Sequence, residues 1–96
     1  MEIIWDDTAL SDLNKTLDYI SRDSPPNALK VADAIVKVCT KIIKYPYIYP
    51  PDKYKKNNDN TYRALQIYRI RISYKIENER ILIVRCRHTA QRPSYF

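Results

Sequence analysis

Apolar residues recur at helical intervals after a short strand-like stretch, Glu2–Trp5. Spacings of three, four and three residues place one stripe along a helix. The members of this stripe are Leu10, Leu13, Leu17 and Ile20. Any of Asp6, Asp7 and Thr8 can cap the start of that helix, since short polar side chains accept hydrogen bonds from the first free amides. The pattern therefore predicts a strand followed by a helix.

A second helix is predicted after Ser24-Pro25-Pro26, where serine can cap and proline suits the first turn. Its broad apolar face contains Ala28, Val31, Ala32, Ile35, Val38, Cys39, Ile42 and Ile43. Tyr45-Pro46 ends the helix, because proline cannot continue it. The short link between the two helices indicates an antiparallel hairpin.

Residues 45–61 form a long connection rich in Pro, Tyr, Lys and Asn. Loops of this length are usually functional or mobile. The lysines and the polar run Asn57-Asn58-Asp59-Asn60 favour a solvated loop over a binding loop. The chain contains no glycine, so we expect every tight turn to use Asn, Asp, Ser or Pro.

From Thr61 onward, apolar and polar residues alternate with the period of a strand. The pattern predicts strands at Tyr62–Ile67, Arg69–Ile76 and Arg80–His88, with a turn at Glu77-Asn78-Glu79. Residues 66–69 lack the usual turn chemistry, so the turn of the first hairpin is not identified. The order is β-α-α-β-β-β. It indicates an α+β fold in a single domain, residues 1–96, with a small antiparallel sheet packed against an N-terminal helical hairpin.

The predicted register places Ile76 opposite Leu82, and thereby Ile72 opposite Cys86 and Tyr74 opposite Val84. One face of the sheet is then apolar and packs on the helices. The other face carries Arg69, Arg71, Lys75, Arg85 and Arg87 and stays open. A slip of one residue would bury arginines without partners, at a cost of several kcal/mol.

Charge is sorted along the chain. Residues 1–36 carry seven acids and three bases, whereas residues 37–96 carry fourteen bases and four acids. Seven of the eight arginines lie between Arg63 and Arg92, and the net charge is +6. Arginine binds phosphates and carboxylates through a planar fork that stays charged. The partner can therefore be nucleic acid, an acidic membrane surface or an acidic protein.

Two further features bear on location and cofactors. No apolar run approaches the roughly 20 residues that a membrane span needs, and the acidic N-terminal segment does not resemble a signal peptide. We therefore expect a cytoplasmic protein without membrane association. Cys39 and Cys86 then stay reduced. Together with one histidine, they do not form a zinc motif, and we expect no metal and no cofactor.

The run from Arg85 to Phe96 carries the strongest chemical signal. His88 and Tyr95 can move protons, and Arg85, Arg87 and Arg92 can hold a phosphate. Cleavage of RNA by its own 2′-OH needs such groups and no metal. A structural interpretation stays open, in which His88 ends a strand and Tyr95 covers the edge of the core.

In several segments the chain resembles the RelE/ParE superfamily of toxins from type II toxin–antitoxin pairs. The resemblance covers nearly the whole length and rests on the order and spacing of these segments. They are Trp5 with Ala9-Leu10-Ser11-Asp12-Leu13, Asp18-Tyr19-Ile20, Ser24-Pro25-Pro26-Asn27-Ala28, Tyr45-Pro46, Tyr68–Ile76 and Ile81–Thr89. It implies a small basic toxin that arrests growth and that a cognate antitoxin neutralises by wrapping a helix or strand onto it.

The superfamily has two branches with different targets. RelE-like members cleave mRNA on the ribosome and are metal-independent endoribonucleases. ParE-like members inhibit DNA gyrase and have no known catalytic residues. Arg71 matches the strand arginine of the RelE-like site, Arg63 falls near its basic strand positions, and Arg92 and Phe96 fall near its C-terminal positions. The hairpin segments Asp18-Tyr19-Ile20 and Pro26-Asn27-Ala28 are closer to the ParE-like branch.

Two activities of such a toxin therefore stay open at this point. In an endoribonuclease the catalytic groups would be Arg71, His88, Arg92 and Tyr95. Binding to RNA or to a protein target would use Arg63, Arg69, Lys75, Arg85 and Arg87. The partners would be an antitoxin together with either the ribosome and its mRNA or DNA gyrase. The alternative is a nucleic-acid-binding module without catalytic activity.

Overall fold

A computed structural model describes residues 1–91 and 95–96. Arg92, Pro93 and Ser94 lie outside the described residues. The elements are β1 (Glu2–Trp5), α1 (Asp7–Asp23), α2 (Pro25–Lys44), β2 (Tyr62–Ile67), β3 (Ile70–Ile76) and β4 (Arg80–His88). The predicted element order and α+β class are confirmed. Within the described residues, neither helix is long and apolar enough to cross a membrane.

The two helices begin and end where their polar residues predict. Asp6 caps α1, and its carboxylate accepts a hydrogen bond from the Thr8 amide at 2.8 Å. Ser24 ends α1 and caps α2, where its hydroxyl accepts from the Asn27 amide at 3.4 Å. One residue thus serves both helices, and the chain reverses without a loop.

The apolar stripe of α1 lies slightly off its predicted position. Leu10 is 44% exposed, whereas Ala9 and Thr16 are buried. The residues of α1 that pack on the core are Ala9, Leu13, Leu17 and Ile20. The buried positions of α2 are Val31, Ile35, Val38 and Ile42. Ile43, predicted to share that face, is 40% exposed.

The four strands form one sheet in the order β1-β4-β3-β2. β2, β3 and β4 are antiparallel, as predicted. The sheet as a whole is mixed because β1 lies parallel to β4. The helical hairpin carries the chain from β1 across the sheet to β2 at the opposite edge, and β2 and β3 return it to β4 beside β1. A parallel pair requires such a long connection.

The predicted register between β3 and β4 is right at one end of the pair and wrong at the other. Ile72 lies opposite Cys86 as expected, but Tyr74 lies opposite Ile83 and Ile76 opposite Ile81. A β-bulge leaves Val84 without a partner in β3 and shifts the register by one residue. Bulges change which residues face inward. Ile81, Ile83 and Cys86 therefore all enter the core.

The loop at residues 45–61 is exposed over much of its length, but the prediction of a solvated loop is wrong around Asp52. Pro51 forms a β-bridge with Arg63, and the Asp52 amide donates to the Tyr62 carbonyl oxygen at 2.9 Å. This segment therefore runs along the outer edge of β2. Asp52 is only 2% exposed. Asn57 and Asn60, farther along, take positive φ values and stay exposed, as expected for asparagine in turns.

Candidate functional site: the basic face of the sheet

Strand alternation assigns each basic residue to one face of the sheet. Arg71 and Lys75 of β3 lie on the face away from the helices, and Arg87 lies opposite Arg71 on β4. Past the bulge, Arg85 lies opposite Ser73, on the same face. We call these four residues, Arg71, Lys75, Arg85 and Arg87, the basic face. The apolar residues of β3 are buried on the opposite face, as predicted, together with Ile81, Ile83 and Cys86 of β4. Leu82 and Val84 were predicted for that buried face, and this prediction is wrong: Leu82 lies opposite Lys75, and Val84 lines the concavity over the basic face, because the bulge shifts the register.

A concavity of about 400 Å³ lies over the basic face. Its lining comes from the sheet, the loop, the start of α1 and the residues after β4. It includes Asp6, Thr8, Lys53, Tyr54, Gln66, Arg71, Arg85, Arg87, Gln91 and Phe96. Tyr54 lies against Arg71, with the guanidinium carbon 4.7 Å from the ring centroid. The loop therefore forms one wall of the concavity.

Arg71 is paired with a carboxylate of the protein itself. Its Nη2 donates to Asp52 Oδ1 at 2.8 Å, with the Asp52 side chain fully buried and the Arg71 side chain one quarter exposed. The pairing is incomplete, since Asp52 Oδ2 and Arg71 Nε have no hydrogen-bond partner among the described residues. An anion from outside would have to compete with Asp52 for this arginine.

Arg85 is also paired internally. Its Nε donates to Asp12 Oδ2 at 2.9 Å and its Nη2 to Asp12 Oδ1 at 3.4 Å. Asp12 Oδ2 further accepts from the Cys86 amide at 3.1 Å. One carboxylate of α1 thus neutralises an arginine of β4 and holds the strand just past its bulge. The prediction of an open face bearing uncompensated arginines is therefore wrong for Arg71 and Arg85.

Arg87 and Lys75 keep their charge available. Arg87 Nε donates to Gln91 Oε1 at 3.3 Å, and within residues 1–91 and 95–96 it has no ion pair. Lys75 Nζ lies 5.5 Å from the centroid of Tyr62. A neutral amide and an aromatic ring leave a cation free to meet an external acid. These two residues carry the accessible charge of the basic face.

Arg69 and Arg63 lie away from the basic face. Arg69 is exposed in the β2–β3 turn, and its carbonyl oxygen accepts from the Thr89 amide at 2.7 Å. Arg63 lies opposite Tyr74, on the helix face. It donates to the Tyr49 and Asn60 carbonyl oxygens, each at 3.0 Å, and stacks on Tyr47 at 4.9 Å. Its guanidinium fixes the loop against β2.

Of the four predicted catalytic residues, the structure describes Arg71, His88 and Tyr95. His88 lies opposite buried Ile70, so its side chain belongs to the helix face, although the residue also borders the concavity. Its Nδ1 accepts from the Ala90 amide at 3.0 Å. Tyr95 and Arg71 each lie against the ring of Tyr54. Arg92 lies outside the described residues.

Sequence reasoning did not find the acids that pair with the arginines. Asp52 and Asp59 are the only acids between residues 37 and 76. A lone acid among bases is a signal of internal pairing that could have pointed to Asp52. Nothing local marks Asp12, because its partner is 73 residues away. Tyr54 was also missed, since the loop carries four tyrosines and three prolines and no pattern distinguishes one tyrosine from the others.

Comparison with known proteins gives a family and a fold. Residues 3–93 match the family model described as ParE toxin of type II toxin-antitoxin system, parDE. A solved structure, the chromosomal ParDE toxin–antitoxin system from P. aeruginosa, is similar with a TM-score of 0.68 at 20% identity, covering 92% of this chain and 95% of that one. No curated protein sequence matches the chain.

Proposed function

Because the chain belongs to the ParE toxin family of type II toxin–antitoxin systems, we propose that it arrests growth by inhibiting DNA gyrase. A cognate antitoxin neutralises it. The family match over residues 3–93 supports the toxin role. The gyrase target follows from the ParE-like branch of the superfamily, in which inhibition requires binding to a protein and no catalytic group.

The single observation that carries the choice of target is the Asp52–Arg71 pair. A RelE-like nuclease uses its strand arginine to hold the scissile phosphate. Here Arg71 is bound at 2.8 Å to a fully buried carboxylate. Breaking a buried pair by removing one partner costs about 3–5 kcal/mol. A phosphate would have to offset much of that cost before it gained any contact.

His88 supports the same choice of target. General acid–base catalysis needs the proton-transferring group within hydrogen-bond reach of the reacting atom. Arg71 lies on the basic face and His88 on the helix face. His88 borders the concavity at the end of β4, but strand alternation directs its side chain toward the face opposite to that of Arg71. Binding to a protein target does not require a proton-transferring group near Arg71.

Two surfaces are available for protein partners. The first is the basic face, through Arg87 and Lys75, and it suits an acidic patch. The second is on α2, where Leu29, Val36 and Ile43 follow each other at seven-residue intervals and are 74%, 63% and 40% exposed. Large exposed apolar residues along one helix are typical of protein-binding surfaces. A target and an antitoxin can each use one of them.

Paired assays with the purified protein test this proposal. In one, gyrase supercoils relaxed plasmid in the presence of increasing toxin; in the other, translating ribosomes carry a labelled mRNA. We expect supercoiling to be blocked and the mRNA to stay intact. Cleaved mRNA with unaffected supercoiling would establish the RelE-like activity instead. Failure in both assays, with normal growth of cells that produce soluble protein, would reject the toxin role.

A further inference from the structure

Tyr95 and Phe96 pack beside the concavity. Tyr95 and Phe96 lie against a surface that we call the tail cradle, formed by Tyr54, Lys55, Lys56 and Tyr62. The Phe96 amide donates to the Tyr54 carbonyl oxygen at 3.0 Å, and the Lys56 amide donates to the Phe96 backbone oxygen at 2.6 Å. Two such bonds to one residue are the main-chain pairing of a β-strand.

The side chains of the tail cradle add an aromatic and cationic site to this pairing. The Phe96 ring meets Tyr62 edge to face at a centroid distance of 5.7 Å, and Tyr95 meets Tyr54 in the same way at 5.3 Å. Lys55 Nζ lies 5.6 Å from the centroid of Phe96 and 4.9 Å from that of Tyr62. The cradle therefore holds Phe96 through both its backbone and its ring.

The bound segment is only loosely held. Phe96 is 37% exposed and Tyr95 is 63% exposed, so neither ring is enclosed. The charges are also poorly matched. Lys53, Lys55 and Lys56 surround the cradle, whereas residues 89–96 contain one base and no acid. An extended segment that carried acids would gain attractions that the chain's own segment lacks.

We propose that the tail cradle is a peptide-binding site that the chain fills with its own Tyr95 and Phe96. The occupant from outside is an extended acidic peptide with one aromatic residue, which pairs with the backbone of residues 54–56 and replaces Phe96. Adding a strand to an exposed backbone edge is an established mode of peptide recognition. This inference concerns a binding site and does not depend on gyrase being the target.

The test uses two fluorescein-labelled hexapeptides and fluorescence anisotropy. The basic probe is Gln-Arg-Pro-Ser-Tyr-Phe, the sequence of residues 91–96, and the acidic probe replaces its first two residues with Asp-Glu. The proteins are the unaltered chain and a full-length double variant, Tyr95→Ala with Phe96→Ala. A segment tethered beside its site competes at an effective concentration near the millimolar range. We therefore expect the double variant to bind the acidic probe at least about tenfold more tightly.

Charge provides a second readout. Near 50 mM salt the acidic probe should bind the double variant several-fold more tightly than the basic probe, and the difference should shrink near 500 mM salt, because salt screens exposed charges. Adding Lys55→Glu should weaken binding of the acidic probe by about tenfold or more, since it removes a cation at the aromatic site. Lys15→Glu, an exposed lysine on α1, is the matched control and should have little effect.

Equal affinities of the unaltered and double-variant proteins would overturn the proposal, and so would an unchanged affinity after Lys55→Glu. If the double variant fails to fold, the unaltered protein decides the matter by NMR. Saturating acidic probe should then shift the backbone amide signals of Lys56 and Phe96 together. Unchanged signals for both amides would reject the site. None of these results bears on supercoiling, so the gyrase proposal stands or fails separately.

Discussion

Asp52 and Asp12 each reach an arginine of the sheet from another part of the chain, one from the loop and one from α1. Their consequences differ with burial. Asp52 is fully buried with two polar atoms of the pair unpartnered among the described residues. Asp12 stays partly exposed but makes three hydrogen bonds. Pairs of this kind hold the loop and α1 to the sheet, and they leave Arg87 and Lys75 as the accessible cations.

Asp52→Asn should lower the free energy of unfolding by about 3 kcal/mol, because it leaves the partly buried Arg71 without its counter-charge. Urea denaturation at neutral pH measures the change. Glu77→Gln, which breaks the more exposed pair with Arg80, is the matched control and should cost less than about 1 kcal/mol. A loss below about 1 kcal/mol for Asp52→Asn would mean that the pair contributes little.

Stability should fall in alkaline solution because of two buried groups. Burial raises the pKa of Cys86 to about 12 from 9.0 and the pKa of Tyr74 to about 12 from 10.0. Both groups stay protonated in the folded state at pH values where the unfolded chain has lost the proton. The stabilisation that these two groups give to the folded state is therefore complete below pH 9. Between about pH 9 and pH 12 the free energy of unfolding decreases by up to about 1.4 kcal/mol per pH unit for each group.

Urea denaturation at a series of pH values from 7 to 11 measures this loss. Cys86→Ala and Tyr74→Phe each remove one titrating group and should each make the alkaline decline less steep. The second variant also removes the hydrogen bond from the Tyr74 hydroxyl to the Pro46 carbonyl oxygen at 2.7 Å, so it should be less stable at every pH. An alkaline decline that neither variant changes would show that other groups cause it.

At the scale of elements, the alternation of apolar residues was sufficient to predict the helices, the strands and the face that β3 buries. It could not predict the bulge at Val84. The run Ile81–Val84 is apolar at every position, so alternation does not distinguish one register from the next there. The bulge places Ile81, Ile83 and Cys86 in the core together. The parallel pairing of β1 with β4 could not be predicted either, because the residue pattern of a four-residue strand does not show whether it pairs parallel or antiparallel.

The contact of α1 with β4 depends on Asp12. Asp12→Ala should lower the free energy of unfolding by about 1–3 kcal/mol, because it leaves the Cys86 amide and the Arg85 guanidinium without their acceptor. Asp18→Ala is the control on the same helix, where the pair with Arg22 is exposed; the expected loss is below about 1 kcal/mol. Equal effects of the two substitutions would contradict a specific role for Asp12.

The β2–β3 turn does not use the turn residues that were expected. Tyr68 has a φ of 53° in the two-residue connection between Ile67 and Ile70. A bulky residue in this left-handed region costs about 1–2 kcal/mol. Tyr68→Gly should therefore raise the midpoint of thermal unfolding, and Arg69→Gly, at the neighbouring turn position, should not. A lower midpoint for Tyr68→Gly would show that the Tyr68 ring stabilises the protein by more than the backbone strain costs.

For the whole molecule, the element order and the resemblance predicted the fold, and the family match confirms the toxin superfamily. The distribution of charge was only partly predictable. Counting bases in the second half of the chain indicated a basic face, but folding brings Asp12 from the acidic half onto Arg85. Asp12 and Arg85 are separated by 73 positions in the sequence, so their pairing depends on tertiary packing and cannot be predicted from a local sequence pattern. The basic face therefore carries less accessible charge than the sequence indicates.

The central claim is that the protein acts by binding a protein target through the accessible part of its basic face. The most direct measurement is the toxin concentration that halves gyrase supercoiling, compared between the unaltered chain, Arg87→Ala and Arg80→Ala. Arg80 also lies on β4 but pairs with Glu77 at the far end of the strand. We predict that Arg87→Ala raises this concentration about tenfold, as expected for an interface arginine, while Arg80→Ala leaves it nearly unchanged. Equal inhibition by all three proteins, or none by any of them, would contradict the claim.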